Sequence, residues 1–313
     1  MRVAALGRTR WLRDSIRRLH DQGHEIAGIA TAPAAPEYDV RESDFERLAE
    51  ELGCVCVGDL EALPRADVAI SVNWPRLIPQ LVLAAFTHGV LNGHPGDLPR
   101  FRGNAAPNWA ILLGEERVVA TVHRMDAGLD SGPIVVQRAF ELDESTYIHD
   151  VYAWLDVALP ELFGQAVAGL AAGTIDLTPQ KGETVRCHPR LPRDGLLDWT
   201  RPAAELARLV RASAEPFAGA FTFLDDDCIT VWRAHPERLA HAAFGVAGHV
   251  VDRRNSGHAA VLTGDGLLVL EEIELRGERA QAAELLTSTR LRLGLDPARL
   301  VERVRCLEER LSD

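Results

Sequence analysis

The amino-acid sequence predicts a Rossmann-like α/β fold, with a mostly parallel sheet covered by helices on both faces, followed by a smaller β-rich, barrel-like domain. Through the first half of the chain, short apolar runs alternate with helical patterns, which is typical of parallel strands joined by helices. Beyond residue 219, short strand candidates dominate instead. The length of 313 residues suits two domains. We predict one over residues 1–190 and the other over residues 191–313.

The elements of the first domain follow from apolar runs and helical spacing. Buried strands are predicted over residues 2–6, 25–31, 54–57, 68–72 and 89–92. Helices are predicted around residues 11–19, 45–52 and 77–86, where apolar side chains recur at helical spacing. A short helix over 107–113, strands over 118–123 and 134–140, and a long helix over 147–173 complete this domain.

The carboxyl-terminal part has a different pattern. Residues 179–198 are rich in proline, glycine and charge, and we predict a linker there. An amphipathic helix follows over 202–212, and then strands over 220–224, 229–232, 248–251, 259–262 and 267–273. Short strands at this spacing are typical of a small barrel or sheet domain. Helices are predicted over 280–286 and 297–311.

The chain is acidic and almost free of lysine. Acidic residues outnumber basic ones by 46 to 34, and the net charge of −12 argues against broad binding of DNA or RNA. Lys181 is the only lysine, and glycine follows it. The phosphate-binding loop of ATPases needs lysine followed by serine or threonine, so that chemistry is excluded. Pyridoxal chemistry, which needs an activated lysine, is disfavoured.

The cysteines and the apolar runs indicate the compartment. Five cysteines have irregular spacing and form no Cys-x-x-Cys pair, so neither a disulfide framework nor a zinc ribbon is predicted. The amino-terminal apolar run is too short for a signal peptide, and no stretch approaches the length of a membrane span. We expect a cytoplasmic protein that requires no metal and contacts no membrane.

Three polar motifs stand out between residues 92 and 132. Asn92 and His94 alternate at the end of a predicted strand, so both side chains point to the same face, at the edge of an α/β sheet where ligands bind. An amide beside an imidazole suits acyl chemistry, because the amide can stabilise an oxyanion and the imidazole can move a proton. Residues 125–132 hold two carboxylates and two glycines, and residues 98–107 hold two arginines that could contact a phosphate. Singly, the motifs could equally be a strand end, a hairpin turn and a solvated loop.

Together, in this order and spacing, the motifs Asn-x-His-Pro-Gly, Leu-Pro-Arg-Phe-Arg-Gly and Met-Asp-x-Gly-Leu-Asp-Ser-Gly resemble those of the formyltransferases that use 10-formyltetrahydrofolate. That family includes methionyl-tRNA formyltransferase, glycinamide ribonucleotide transformylase and the sugar N-formyltransferases. The resemblance covers residues 1–200 well and extends more loosely to residue 222, through a segment similar to the start of the carboxyl-terminal domain of longer members. It implies an enzyme that transfers a formyl group from 10-formyltetrahydrofolate to a primary amine.

The resemblance also implies the site residues. Asn92, His94 and Asp130 are the expected catalytic trio. Asn92 would donate to the developing oxyanion, and His94 would assist loss of the amine proton. Asp130 would orient His94, favour its charged form and relay protons through water. The residues expected along the folate are Arg76, Leu77, Ile78, Met125, Asp126, Gly128 and Leu129. Those expected near the acceptor are Gly96, Phe101, Arg102 and Asn104.

The sequence leaves several possible identities for the acceptor amine. Residues 94–109 look closest to the enzymes that formylate a nucleotide-linked aminosugar, and the carboxyl-terminal part is similar to the formyltransferase domain that modifies aminoarabinose on a uridine nucleotide. A hydroxyornithine-type amine of siderophore assembly is an alternative, because residues 73–75 and 198–199 are compatible with that group. Methionyl-tRNA is disfavoured, since the segment 37–46, where basic phosphate contacts would be expected, is acidic.

Two further hypotheses lie outside the transferase class. With water in place of the amine, the same site would make a formyltetrahydrofolate hydrolase, and a noncatalytic folate or nucleotide binder would not need the catalytic trio. Among the remaining residues, His123 is expected in the core or the pocket wall. His188 and Cys187 are expected in the linker without a role, and the acidic run 225–227 in a solvated turn. From the resemblance alone we expect a homodimer.

Overall fold

The computed structural model describes residues 1–36, 38–239, 241 and 244–312. The strands are β1 (Arg2–Gly7), β2 (Glu25–Ala30), β3 (Val55–Val57), β4 (Val68–Val72), β5 (Val90–His94), β6 (Phe101–Gly103), β7 (Arg117–Arg124), β8 (Ile134–Glu141), β9 (Val185–Cys187), β10 (Ala220–Leu224), β11 (Asp227–Glu237), β12 (Val250–Arg253), β13 (Ala259–Leu262), β14 (Leu267–Leu275) and β15 (Glu278–Gln281). The helices are α1 (Arg10–Asp21), α2 (Glu42–Leu52), α3 (Gln80–Leu83), α4 (Ala106–Leu113), α5 (Ile148–Ala172), α6 (Ala203–Ser213), α7 (Ala282–Leu285) and α8 (Pro297–Ser312).

The chain divides into two compact units. Unit 1 comprises Met1–Ala110 and Glu115–Arg190, and unit 2 comprises Ile111–Gly114 and Leu191–Asp313. Both units are acidic. Unit 1 has 18 basic and 26 acidic residues, and unit 2 has 16 and 20. The negative net charge is therefore a property of each unit separately.

Unit 1 is built on a seven-stranded sheet with the strand order β3-β2-β1-β4-β5-β7-β8. The pairings from β3 to β5 are parallel, whereas β7 pairs antiparallel with both β5 and β8. All five residues of β4 are buried, as is typical of a central parallel strand covered on both faces. The predicted mostly parallel α/β sheet is confirmed.

The order of the parallel strands determines which face each helix covers. From β1 the chain moves outward to β2 and β3 through α1 and α2, but from β4 it moves in the opposite direction to β5 through α3. Because such crossovers are right-handed, α3 lies on the opposite face from α1 and α2. On that face, Val82, Leu83 and Phe86 form one apolar cluster with alternate residues of β1, Ala4 and Leu6.

Helix α5 corrects one expectation from the sequence. By length and composition it could cross a membrane, although no such stretch was expected, and half of its most apolar window is buried. It packs against α1, β7 and β8, with Leu155, Leu159 and Phe163 fully inaccessible. Its apolar character is explained by this central position in unit 1, because a helix buried on most sides needs few polar residues.

Other predicted elements of unit 1 differ from the structure. The helix expected over residues 77–86 is confined to α3, because Pro79 lies directly before its first residue, and Leu77 and Leu81 are exposed. The linker expected over residues 179–198 contains β9, which pairs in parallel with β6 in a separate two-stranded sheet. Neither strand was predicted, because each has only three residues with an arginine in the middle and so does not form an apolar run as β3 does.

Unit 2 is β-rich, as predicted. Its six-stranded antiparallel sheet has the order β10-β11-β14-β13-β12, with β15 also paired to β14, and α6 packs on β11 and β14. The helix expected over residues 280–286 is instead the end of β15 followed by α7. The acidic run 225–227 is not simply solvated, because Arg299 and Arg303 of α8 form ion pairs with Asp225 and Asp226.

Candidate active site

Strand β5 carries the first two candidate residues. Asn92 lies opposite His123 of β7, and His94 lies opposite Thr121. Alternate residues of a strand share a face, so Asn92 and His94 point the same way, as do Thr121 and His123. The antiparallel pairing therefore places an amide and two imidazoles together at the carboxyl end of β5.

The turn between β7 and β8 supplies the carboxylate. Asp130 has a φ of 48°, a left-handed conformation that aspartate tolerates better than most residues. Its Oδ2 lies 3.6 Å from His94 Nδ1 and its Oδ1 lies 3.6 Å from His123 Nε2. The backbone amide of Gly103 donates to Oδ2 at 2.9 Å. Asp130 thus lies between two imidazoles, although it is separated from His94 by 36 positions in the chain.

The second ring nitrogen of His94 fixes its tautomer. Nε2 lies 2.6 Å from the carbonyl oxygen of Phe101. A carbonyl oxygen can only accept, so Nε2 carries the proton and donates it. A neutral His94 therefore presents its unprotonated Nδ1 to Asp130. The atom of His94 that can receive a proton is the one beside the carboxylate.

Burial controls the charge of His94. The imidazole is 4% exposed, and burial lowers its pKa below the ordinary value of 6.5. Asp130 and the Phe101 carbonyl act in the opposite direction without overcoming burial, and His123 lowers the pKa further. At neutral pH His94 is therefore uncharged. Asp130 favours the charged form, but the larger effect of burial leaves His94 free to act as a base.

Asp130 is ionised. Burial by itself would raise its pKa, but the contact with His123, the charge of His94 and the amide of Gly103 together lower the pKa to about 2. The side chain is 12% exposed, so water screens these interactions only weakly. A fixed negative charge therefore faces Nδ1 of His94 and stabilises any proton that arrives there.

Asn92 keeps one N–H group available. Its Nδ2 lies 3.2 Å from His123 Nε2, which either accepts from this amide or donates to Asp130. If it accepts, the second hydrogen of Nδ2 has no partner among the described residues. If it donates, the amide turns its oxygen toward His123 and both hydrogens point away. In both cases Asn92 retains a donor for a developing oxyanion.

Comparison with known proteins assigns the chain to a family. Residues 55–167 match the formyl transferase family, and residues 191–290 match the formyl transferase C-terminal domain. A methionyl-tRNA formyltransferase of Solibacter usitatus is 30% identical over 93% of this chain and 96% of its own length. The chain belongs to the formyltransferase family. A methionyl-tRNA formyltransferase of Citrifermentans bemidjiense is 28% identical over 94% of this chain and 95% of its own.

Solved structures share the fold of this formyltransferase. An N-formyltransferase from Helicobacter canadensis, crystallised with folinic acid and dTDP-3-aminofucose, has a TM-score of 0.66 and 14% identity over 86% of this chain and 97% of its own. HypX from Aquifex aeolicus, crystallised with tetrahydrofolic acid, has a TM-score of 0.61 and 22% identity. That match covers 92% of this chain and 47% of HypX, so this chain spans about half the length of HypX.

Of the residues predicted to contact the acceptor, Gly96 and Phe101 lie beside His94 in this formyltransferase. A Cβ on Gly96 would lie 2.4 Å from His94 Nε2 and 2.5 Å from the Phe101 carbonyl, so only glycine fits there. The side chain of Phe101 is buried, and its carbonyl holds His94, which is a structural contact that the sequence did not predict. The guanidinium of Arg102 donates to Gln180 Oε1 at 2.7 and 3.1 Å. Asn104 is exposed, and its backbone amide binds the carbonyl of Cys187.

The residues predicted to contact folate fall into two groups. Ile78 and Met125 pack on one apolar cluster, which brings the two predicted segments together. Asp126 closes its own turn by accepting from the Gly128 amide at 2.9 Å and from Ser131 Oγ at 2.6 Å. The remaining predicted contacts differ in exposure: Arg76 and Leu77 are exposed, and Leu129 is half-buried.

Sequence reasoning missed two polar residues of this region. His123 was expected only in the core or the pocket wall, but it contacts both Asn92 and Asp130. The alternation of Thr121 and His123, which matches that of Asn92 and His94 on the neighbouring strand, was an available signal. Gln180 lies in the predicted linker, and no local pattern marked it. In the described part of the chain, no cluster of three or more His, Cys, Asp or Glu side chains could hold a metal ion.

Proposed function

We propose that this formyltransferase moves the formyl group of 10-formyltetrahydrofolate to the primary amine of a nucleotide-linked aminosugar. The observation that carries the chemistry is the placement of ionised Asp130 beside the unprotonated Nδ1 of neutral His94, with Asn92 on the same face. These groups match the needs of amine acylation, namely a base, a group that stabilises the protonated base, and an oxyanion donor.

The residues divide the work as follows. The folate supplies an electrophilic formyl carbon, and the acceptor amine forms a C–N bond to it. Asn92 donates to the formyl oxygen as negative charge develops there. The proton released by the amine passes to His94 Nδ1, where Asp130 stabilises the resulting imidazolium. Cleavage of the bond to the folate nitrogen completes the transfer, and the proton held by His94 is returned to that nitrogen.

Charge favours a small acceptor over tRNA. Binding an acceptor stem requires several cations directed at phosphates. Near the carboxyl ends of β1 and β2, the candidate cations already have partners. Arg8 donates to the carbonyls of Asn73 and Pro33, and Arg10 pairs with Asp39 and Asp156. The two carboxylates neutralise Arg10. Arg8 keeps its charge, because carbonyls are neutral, but one cation in an acidic unit is fewer than an acceptor stem requires.

Arg102 has the properties of a phosphate ligand for a small acceptor. Its guanidinium is held by the neutral side chain of Gln180, and among the described residues it forms no ion pair with a carboxylate. An arginine oriented by an amide keeps its full charge for an incoming anion. It lies on β6, next to Gly103, which binds Asp130 directly. A diphosphate on Arg102 would bring the attached sugar toward the catalytic trio.

Methionyl-tRNA is the second candidate acceptor, and a specific observation favours it. The relatives found at 28–30% identity, along almost the whole chain, are methionyl-tRNA formyltransferases. Their similarity extends through unit 2, so the architecture of this chain is compatible with either acceptor. The argument for the aminosugar nucleotide therefore depends on charge. A hydroxyornithine-type amine and water remain as further acceptors to be tested.

An acceptor screen tests the proposal. The protein is incubated with 10-formyltetrahydrofolate and, separately, with nucleotide-linked aminosugars, hydroxyornithine, methionyl-tRNA or no acceptor, and each mixture is analysed for a gain of one formyl mass. We expect gain only on an aminosugar nucleotide, and loss of that gain in His94→Ala. Formylation of methionyl-tRNA or hydroxyornithine with comparable kcat/KM would contradict the acceptor assignment. Rapid loss of formyl-folate without an amine would identify a hydrolase.

A further inference from the structure

Gln180 connects two residues of the candidate active site. Its Nε2 donates to the backbone carbonyl of Asp130 at 2.8 Å and to that of Gly132 at 2.7 Å. Its Oε1 accepts two hydrogen bonds from the Arg102 guanidinium. Every hydrogen of this amide is therefore used, and its oxygen is used twice. The side chain is half-buried.

The backbone that Gln180 holds needs support. Asp130 adopts a left-handed conformation, with a φ of 48°, which is unfavourable for a residue other than glycine. Gly132 follows in the same turn, where a Cβ would lie 1.7 Å from the Arg124 carbonyl. Two carbonyls fixed by one amide determine the path of this turn, and the turn determines where the Asp130 carboxylate lies relative to His94.

Strand β6 contacts Asp130 in two ways. The amide of Gly103 binds its carboxylate directly, and Arg102 reaches its backbone through Gln180. We infer that Gln180 is a positioning residue, which holds Asp130 beside His94 and orients Arg102 toward the acceptor. This inference rests on the proposed roles of the catalytic trio and of Arg102.

Two substitutions distinguish the hydrogen bonds of Gln180 to the two carbonyls from its hydrogen bonds to Arg102. Gln180→Ala removes both sets of hydrogen bonds. We expect kcat to fall about tenfold or more, because Asp130 is no longer fixed beside His94. Gln180→Glu keeps an acceptor for Arg102 but has no N–H for the two carbonyls. It lowers kcat similarly, and it also raises the KM for the acceptor more than Gln180→Ala does, because its carboxylate neutralises Arg102.

The pH profile distinguishes positioning from a purely structural role. The titratable groups that face His94 are Asp130, which raises its pKa, and His123, which lowers it. If Asp130 moves away, the pKa of His94 falls. The acidic limb of kcat/KM then shifts to lower pH in both Gln180 variants. Loss of folded protein alone would reduce the amplitude of the profile without moving that limb.

The experiment measures kcat, KM and the pH profile for wild type and both Gln180 variants. The control is Gln165→Glu, the same change on the exposed surface of α5, which we expect to match wild type. A kcat within twofold of wild type and an unmoved limb in both Gln180 variants would overturn the inference. If Asp130→Ala also retains activity, the proposed trio itself fails. If Asp130→Ala loses activity while the Gln180 variants do not, only the role of Gln180 fails.

A double-mutant cycle with Arg102 tests the connection between the two side chains independently of the pH profile. Arg102→Met removes one side of the contact and leaves Nε2 on the two carbonyls. If Arg102 affects kcat only through Gln180, Arg102→Met/Gln180→Ala has the same kcat as Gln180→Ala within twofold. Multiplication of the two single effects would show that the residues act independently and would refute the connection.

Discussion

Replacing Asp130 by asparagine tests whether the ionised carboxylate is paired in the native protein. The change keeps the shape of the side chain and removes its charge. The pKa of Asp130 is lowered from 3.8 to about 2, and each unit corresponds to about 1.4 kcal/mol. The pairing therefore stabilises the native state by about 2.5 kcal/mol while His94 is protonated, and by less at neutral pH, where His94 is uncharged. Solvent screening reduces this little, since the side chain is 12% exposed.

The sign of the shift defines the pH window. A carboxyl group whose pKa is depressed in the native state contributes its stability above the unfolded value, near 4, and loses it as the pH falls toward the native value of about 2. Urea unfolding at a series of pH values measures the difference between wild type and Asp130→Asn. We expect the largest difference, up to about 2.5 kcal/mol, just above pH 4, where His94 is protonated. The difference should be smaller at pH 7, where His94 is uncharged, and should shrink progressively below pH 4.

Asp176→Asn is the matched control. Asp176 is exposed and has no hydrogen bond or ion pair among the described residues, so this variant should unfold like wild type at every pH. Equal or greater stability of Asp130→Asn just above pH 4 would refute the reasoning, because it would mean that the two imidazoles and the Gly103 amide do not offset the burial of the charge.

Three further predictions concern activity. Gly96→Ala places a Cβ 2.4 Å from His94 Nε2, so we expect kcat/KM to fall at least tenfold. The control Gly58→Ala has open space around its Cβ and should change kcat/KM little. Equal activity of the two variants would disprove the steric argument. Because burial lowers the pKa of His94, the acidic limb of the wild-type profile should lie below pH 6.5, and a limb above that value would contradict a neutral His94. Treatment with a chelator should leave the rate unchanged, and a loss restored by one divalent ion would reveal a metal requirement.

The sequence was sufficient for most of unit 1 because its signals are local. Each parallel strand is a short apolar run flanked by glycine, proline or a helical pattern, and right-handed crossovers leave few arrangements of such segments. The alternation of Asn92 and His94 indicated a shared face from the residues alone. The partnership of these residues with Asp130 was available only through the family resemblance, since it depends on a turn 36 positions away.

The parts that sequence reasoning missed depend on long-range contacts of short segments. Strands β6 and β9 have three residues each and pair across more than 80 positions, so no periodicity reveals them. Gln180 was placed in a linker because its neighbours are proline, lysine and glycine. Its role comes from three hydrogen-bonding partners that lie near it only in the folded chain. The neutral state of His94 likewise depends on burial, which local spacing does not determine.

Single-turnover formyl transfer by His94→Ala tests the role of the catalytic trio most directly. With the acceptor found in the screen and saturating 10-formyltetrahydrofolate, the rate of formyl-mass gain is compared with that of wild type, and circular dichroism checks that the variant is folded. General acid–base catalysis by a positioned side chain contributes roughly 10²–10⁴-fold, and we predict a loss in that range. A folded variant whose rate stays within a few-fold of wild type would contradict proton transfer through His94.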